Sequence, residues 1–105
     1  MTGASIEEVV KQVVEELNKY TPEKVEEFLE KAVDIQYTLG KDFDLMDVVV
    51  VLSHGGPNIY LRVSDGVVEG YWGSDKYVAR VENREFLDAL WNYFENLIKE
   101  VVNKK

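Results

Sequence analysis

Residues 48–63 read VVVVLSHGGPNIYLRV, and the architecture of the chain follows from this stretch. The run 48–52 is apolar on both faces, which is typical of a central strand that is covered on both sides. Segment 53–58 must then turn the chain, because its two glycines permit positive φ and its proline removes a ladder donor. Apolar alternation resumes over 59–63. The stretch therefore predicts two antiparallel strands joined at a Gly-Gly-Pro corner.

The strand pattern continues after this pair. Ser64-Asp65-Gly66 is typical of a tight hairpin turn, and residues 67–72 alternate as a third strand. Gly73-Ser74-Asp75 turns the chain again, and residues 76–82 form a fourth predicted strand. We therefore expect a four-stranded antiparallel meander. Glycines flank the aromatic pair of the third strand, at Gly70 and Gly73, and this spacing favours a β-bulge over a ligand platform.

Two helices are predicted before the strands. Ser5 and Glu8 form a capping-box pattern, and apolar residues then recur at helical spacing from Ile6 to Leu17, predicting a helix over 6–20. Thr21-Pro22 restarts the chain as the N-cap and first position of a second helix. The two helices would be antiparallel because their joint is very short.

Residues 34–39 fit two structures. Ile35, Tyr37 and Leu39 alternate as in a strand, yet they could equally extend the second helix to Gly40, which is a natural helix stop. We favour the helix, ending before Gly40.

The last predicted helix is the strongest helical pattern of the chain. Asn83 is its N-cap, and apolar residues recur at helical spacing from Phe86 to Val101. The element order is then α-α-β-β-β-β-α, with the helices on one face of the sheet, so the fold class is α+β. At 105 residues, we expect one domain over 1–105.

Composition excludes several classes of function. The chain has no cysteine and one histidine, which argues against a thiolate or histidine-rich metal site, and no sequence motif predicts a cofactor. The net charge is −8, and residues 1–47 carry 12 acidic against 5 basic residues, while residues 48–105 carry 8 against 7. An acidic surface repels phosphates, so direct nucleic-acid binding is disfavoured. The abundance of glutamate, lysine and valine resembles thermophile usage.

The sequence also predicts a location. No apolar run is long enough to span a membrane, and the first residues, Met-Thr-Gly-Ala-Ser followed by acidic residues, do not resemble a signal peptide. We therefore expect no membrane partner and a cytoplasmic protein.

Strand alternation predicts an interaction surface. If Ile59, Leu61 and Val63 point to the core, their neighbours point away from it, and the next two strands can be oriented in the same way. Tyrosine and arginine are enriched at protein interfaces. The candidate binding residues on this outer face are Tyr60, Arg62, Glu69, Tyr71, Val78 and Arg80.

Two alternative sites remain open. The first is the Gly-Gly corner, where an imidazole lies beside a hydroxyl and backbone amides that could form an anion nest, at Ser53, His54, Gly55, Gly56 and Asn58. It would make the chain a small-ligand-binding protein or an enzyme. The second is the acidic surface of the first two helices, which could imitate a phosphate array and bind a nucleic-acid-binding protein.

One short motif resembles a known group of proteins. The segment 51–59, with its Gly-Gly-Pro corner between strands, is followed by the aromatic strand residues 70–72. This pattern resembles small uncharacterised proteins of viruses and mobile elements, over about a quarter of the chain. The resemblance implies an accessory protein, in the host cytoplasm if viral, and it brings no catalytic residues.

Together these observations favour a non-enzymatic interaction protein. No catalytic constellation is visible, while the outer sheet face combines aromatic residues with arginines. We expect a homodimer, or a complex with another protein, formed through that face.

Overall fold

The computed structural model describes residues 5–103. The chain begins with α1 and a short 3-10 turn, continues through α2 and five strands, and ends with α3. Their bounds are α1 Ile6–Lys19, the 3-10 turn Pro22–Lys24, α2 Val25–Glu30, β1 Asp34–Leu39, β2 Leu45–Ser53, β3 Asn58–Arg62, β4 Val67–Trp72, β5 Asp75–Arg80 and α3 Arg84–Asn103. The α+β class is confirmed.

The strands form one antiparallel sheet in the order β1-β2-β3-β4-β5. Each strand pairs with the next one along the chain, as a meander requires. Val50 lies opposite Leu61 and Leu61 opposite Val68, so the buried residues of neighbouring strands align in rows. The Gly-Gly-Pro corner joins β2 to β3 as the sequence predicts.

The sheet has five strands, so the prediction of four is wrong. Asp34–Leu39 is β1, and the favoured extension of the second helix toward Gly40 does not form. Helix α2 ends at Glu30, and the backbone N–H of Val33 donates to the carbonyl of Val51 at 2.8 Å, which starts the pairing with β2. Pairing with β2 makes residues 34–39 a strand, because their local pattern fits a helix and a strand equally.

The first helix forms as predicted, and the second is much shorter than predicted. The hydroxyl of Ser5 accepts from the backbone N–H of Glu8 at 3.2 Å, which caps α1. After Thr21 the chain makes a 3-10 turn and then only six residues of α2. Val25 and Phe28 are its buried residues, and they fix it against α3.

The core lies between one face of the sheet and the helices. α1 packs on β4 and β5, and α3 packs on β2. Three aromatic rings meet edge to face between the helices, since Phe86 lies 5.3 Å from Tyr20 and 5.5 Å from Phe28 between ring centroids. The sheet contributes a row of fully buried residues to this core: Val48, Val50, Ile59, Leu61 and Val68.

Two asparagines join the end of α1 to the start of α3. The side-chain amide of Asn83 donates to the carbonyls of Leu17 and Tyr20 at 2.9 and 2.8 Å, and its oxygen accepts from the N–H of Phe86 at 3.2 Å. In return, the side-chain oxygen of Asn18 accepts from the N–H groups of Glu82 and Asn83 at 3.0 and 3.2 Å. Free backbone groups at both helix ends are thereby satisfied. We name this pair the asparagine clasp.

A glycine in β4 lets α1 approach the sheet. A Cβ atom on Gly70 would collide with the side chain of Val10, and it would lie 2.9 Å from Cδ1 of Ile6. The pairing of β4 with both neighbouring strands is continuous, so the predicted bulge at this position is wrong. The missing side chain serves helix packing instead.

The asparagine clasp gives a first prediction. We expect Asn83→Ala to lower the free energy of unfolding by about 2 kcal/mol, because it removes a helix cap and leaves the carbonyl of Tyr20 without its donor, while the carbonyl of Leu17 keeps only the N–H of Tyr20. Urea denaturation followed by circular dichroism measures the loss. Asn92→Ala is the matched control, because Asn92 is exposed on α3. Equal stability of the two variants would contradict the proposed role of the clasp.

The close approach at Gly70 gives a second prediction. We expect Gly70→Ala to destabilise the fold by roughly 1–3 kcal/mol, because α1 must shift to admit the methyl group. Gly56→Ala is the control, since a Cβ there meets nothing within 4 Å, and its effect should stay within about 0.5 kcal/mol.

A double variant tests the cause of this destabilisation. Adding Val10→Ala to Gly70→Ala should cost less than the sum of the two single changes, because the smaller side chain makes room for the new methyl group. If the loss of unfolding free energy in the double variant equals the sum of the two single losses, the collision with α1 is not the cause.

Candidate functional site

The sheet face opposite the helices carries all six predicted interface residues. Directly opposite residues of antiparallel strands point to the same side, and the rows that alternate with the buried ones form this second face. One row runs Val49–Arg62–Val67–Arg80, and the next runs Val51–Tyr60–Glu69–Val78. We call this surface the helix-free face, and its predicted residues are Tyr60, Arg62, Glu69, Tyr71, Val78 and Arg80.

A carboxylate organises the centre of the helix-free face. Glu69 is only 15% exposed, and one of its oxygens accepts from Nε of Arg62 at 2.9 Å. The hydroxyl of Tyr71 donates to its other oxygen at 3.1 Å. The hydrogen bond that Arg62 donates to Glu69 raises the pKa of Arg62. Because both carboxylate oxygens are occupied, this network fixes side-chain positions and leaves Glu69 poorly placed to act as a free base.

Two tyrosines lie beside this network. The rings of Tyr60 and Tyr71 meet nearly edge to face with centroids 6.0 Å apart, and Nζ of Lys76 lies 5.5 Å from the centroid of Tyr71. They border an open depression of about 460 Å³. Its lining residues are Gln36, Val49, Tyr60, Arg62 and Tyr71. The depression is shallow and belongs to a continuous surface.

Charge varies from one side of the helix-free face to the other. Asp34 and Asp47 lie on the β1 and β2 side, whereas Lys76 and Arg80 lie on β5. In the described part of the chain Arg80 makes no ion pair within 4.0 Å. The face thus carries both signs, although the chain as a whole has a net charge of −8.

The Gly-Gly corner projects into solvent. His54, Gly55 and Gly56 are exposed, and a Cβ on either glycine would meet no atom within 4 Å. Nδ1 of His54 lies 3.4 Å from the side-chain oxygen of Asn58, which also accepts from the N–H of Gly55 at 3.2 Å. The hydroxyl of Ser53 donates to the carbonyl of Pro57 at 2.8 Å. These polar groups therefore bond mainly to one another.

The acidic helices present their glutamates to solvent. Glu7 pairs with Lys11 at 2.7 Å and Glu27 with Lys24 at 3.1 Å, each within its own helical segment. The contact with Lys24 lowers the pKa of Glu27. A phosphate-like array on this surface remains a prediction.

Sequence reasoning missed an apolar surface at the edge of the sheet. The end of α3 and the strand β1 enclose a groove of about 420 Å³, which we call the β1 groove. It is lined by Tyr37, Leu39, Phe43, Leu97, Ile98, Val101 and Val102. The alternation of Ile35, Tyr37 and Leu39 was the available signal. That alternation predicts the groove only if residues 34–39 form a strand, and the favoured prediction for them is a helix.

Neither a membrane-spanning helix nor a metal-binding cluster is found within residues 5–103. No helix there is both long and apolar enough to cross a membrane. No group of three or more histidine, aspartate and glutamate side chains is arranged to hold a metal ion in that part of the chain.

Comparison with protein-family models, with curated proteins and with solved structures finds no match to this chain.

Proposed function

We propose that the chain is a non-enzymatic interaction domain that forms a homodimer through the helix-free face. The observation that carries this proposal is the fixed cluster of two tyrosines and an Arg62–Glu69 pair in the middle of an uncovered sheet face. Tyrosine and arginine contribute large contact areas with a polar end, which is why they are enriched in interface centres.

The rigidity of this cluster supports a binding role. Glu69 holds Arg62 and Tyr71 at once, so these side chains lose little freedom when a partner arrives. Binding costs are lower where interface side chains are ordered in advance. A broad, shallow surface of this kind suits a protein partner better than a small molecule, which needs a concave site.

The charge distribution favours a second copy as the partner. Two chains of charge −8 repel each other over most of their surfaces, but the helix-free face carries both signs. Sheets that stack face to face keep their strands within about 30° of each other. If the two-fold axis runs along the strands, Lys76 and Arg80 of one copy lie over the Asp34 side of the other, and opposite charges meet twice.

Support for the other two functions is weaker. The Gly-Gly corner would need a concave site around His54, and its residues lie on an exposed turn. The acidic helices would need a concentrated negative surface, and two of their glutamates are paired with lysines. Neither surface presents the ordered aromatic cluster of the helix-free face.

Charge reversal on β5 gives the third prediction. We expect Arg80→Glu to weaken dimerisation about tenfold or more, because it places a carboxylate opposite the acidic side of the second copy. Sedimentation equilibrium measures the dissociation constant. Arg84→Glu is the matched control, since Arg84 is equally exposed but lies at the start of α3.

A charge swap tests the stacking direction. The double variant Asp34→Lys, Arg80→Glu restores opposite charges across the stacked sheets and should recover most of the lost affinity. A strictly monomeric wild-type chain at high concentration would overturn the proposal. So would equal effects of Arg80→Glu and Arg84→Glu on the dissociation constant.

A further inference from the structure

The β1 groove is an exposed surface with an almost entirely apolar lining. Its side chains come from β1, from α3 and, at Phe43, from the turn between β1 and β2, and several are about half exposed: Tyr37 at 48%, Val101 at 55% and Phe43 at 57%. Contiguous apolar patches on a protein surface mark interaction sites, whereas scattered apolar residues do not. The patch lies on the opposite side of the sheet from the Tyr60–Tyr71 cluster, so the two surfaces are distinct.

The groove lies beside an unprotected sheet edge. β1 is the outermost strand, and one row of its backbone N–H and C=O groups has no strand partner within residues 5–103. Natural sheet edges are usually protected by charged residues, especially lysine. β5, the other edge, has three charged residues in six, while β1 has only Asp34. The free groups of β1 can be satisfied by an extended backbone, which identifies the kind of occupant.

We infer that β1 pairs antiparallel with β1 of a second copy and joins two five-stranded sheets into one continuous sheet. Two-fold pairing of this kind uses the same patch on both subunits. The sequence of β1 is compatible with itself, because residues 35–39 are uncharged and antiparallel pairing keeps the two Asp34 side chains at opposite ends. Like charges therefore do not meet, in spite of the acidic chain.

The pleat of the strand restricts the register. Opposite residues must point to the same side, so a symmetric pair is centred on a residue and not between two residues. Centring on Gln36 places each Tyr37 opposite Ile35 of the second copy and each Asp34 opposite Thr38. The exposed ring of Tyr37 then covers a half-buried apolar side chain, and the two β1 grooves approach each other across the new pair.

This interface does not depend on the proposed function. The helix-free face and the β1 edge are separate surfaces, so a chain can use either one alone. If it uses both, stacking about an axis along the strands places the β1 edges of the two layers on opposite sides, so each layer pairs with a further copy and the assembly is open-ended. Arg80→Glu on β5 changes only the helix-free face, and a change at Tyr37, on the other side of the sheet, changes only the β1 pair.

Single-cysteine crosslinking tests the register directly. The chain has no cysteine, so Gln36→Cys introduces the only thiol, on the exposed side of β1. In the Gln36-centred register the two thiols are opposite each other, within reach of a disulfide. We expect a covalent dimer after mild oxidation. Thr38→Cys is the matched control, because its two copies would be roughly 13 Å apart along the strands at about 3.3 Å per residue.

A lysine substitution tests the energetics. We expect Tyr37→Lys to weaken self-association through β1 by about tenfold or more, because it brings two charges into the apolar centre of the pair. Sedimentation equilibrium measures this effect in the Arg80→Glu background, where association through the helix-free face is already weakened. Tyr93→Lys is the control, since Tyr93 is an exposed tyrosine on α3 outside the β1 groove.

The outcomes separate the two proposals. Crosslinking of Gln36→Cys that persists with Arg80→Glu, and is absent with Thr38→Cys, supports the β1 pair. Equal crosslinking of both cysteine variants, or none, overturns it. If Arg80→Glu alone produces monomers and Gln36→Cys fails to crosslink, the β1 pair is wrong and the homodimer through the helix-free face stands. If Arg80→Glu leaves self-association unchanged and Gln36→Cys crosslinks, the homodimer through the helix-free face is wrong and the β1 pair stands.

Discussion

The asparagine clasp constrains the rest of the structure. Asn18 and Asn83 are separated by 65 residues in the chain, yet each side chain bonds to backbone groups of the other's helix end. α1 and α3 are thereby held at a fixed angle over the same face of the sheet. The apolar alternation of the strands selects one face of the sheet for the helices, and the clasp joins the two long helices over that face. The other face is therefore the helix-free face.

Sequence patterns predicted the elements whose environment is local. The apolar run 48–52, the turn residues and the last helix need only their own periodicity to be identified. Alternation alone also placed Tyr60, Arg62 and Glu69 on a common face. The strand β1 was missed because its local pattern fits two structures and its pairing with Val48–Val51 decides between them. The diagonal Arg62–Glu69 contact likewise depends on the register of β3 and β4.

The distribution of charge distinguishes surfaces that repel from surfaces that can associate. The glutamates of α1 and α2 point to solvent and give that side of the molecule a strong negative charge. The helix-free face carries charges of both signs, and residues 35–39 of the β1 edge are uncharged. Two copies can therefore approach only in a small number of orientations, and those orientations bring together aromatic and apolar residues. Repulsion elsewhere adds specificity without adding any contact.

The approach of α1 to Gly70 has a consequence for the order of folding. Hairpins between neighbouring strands form within about 1–10 μs because their contacts are local in sequence. α1 is synthesised first, but its partners β4 and β5 emerge some 50 residues later. A helix of 14 residues with many β-branched side chains is marginal on its own. We therefore expect the hairpins of the meander to form before α1 docks on β4 and β5.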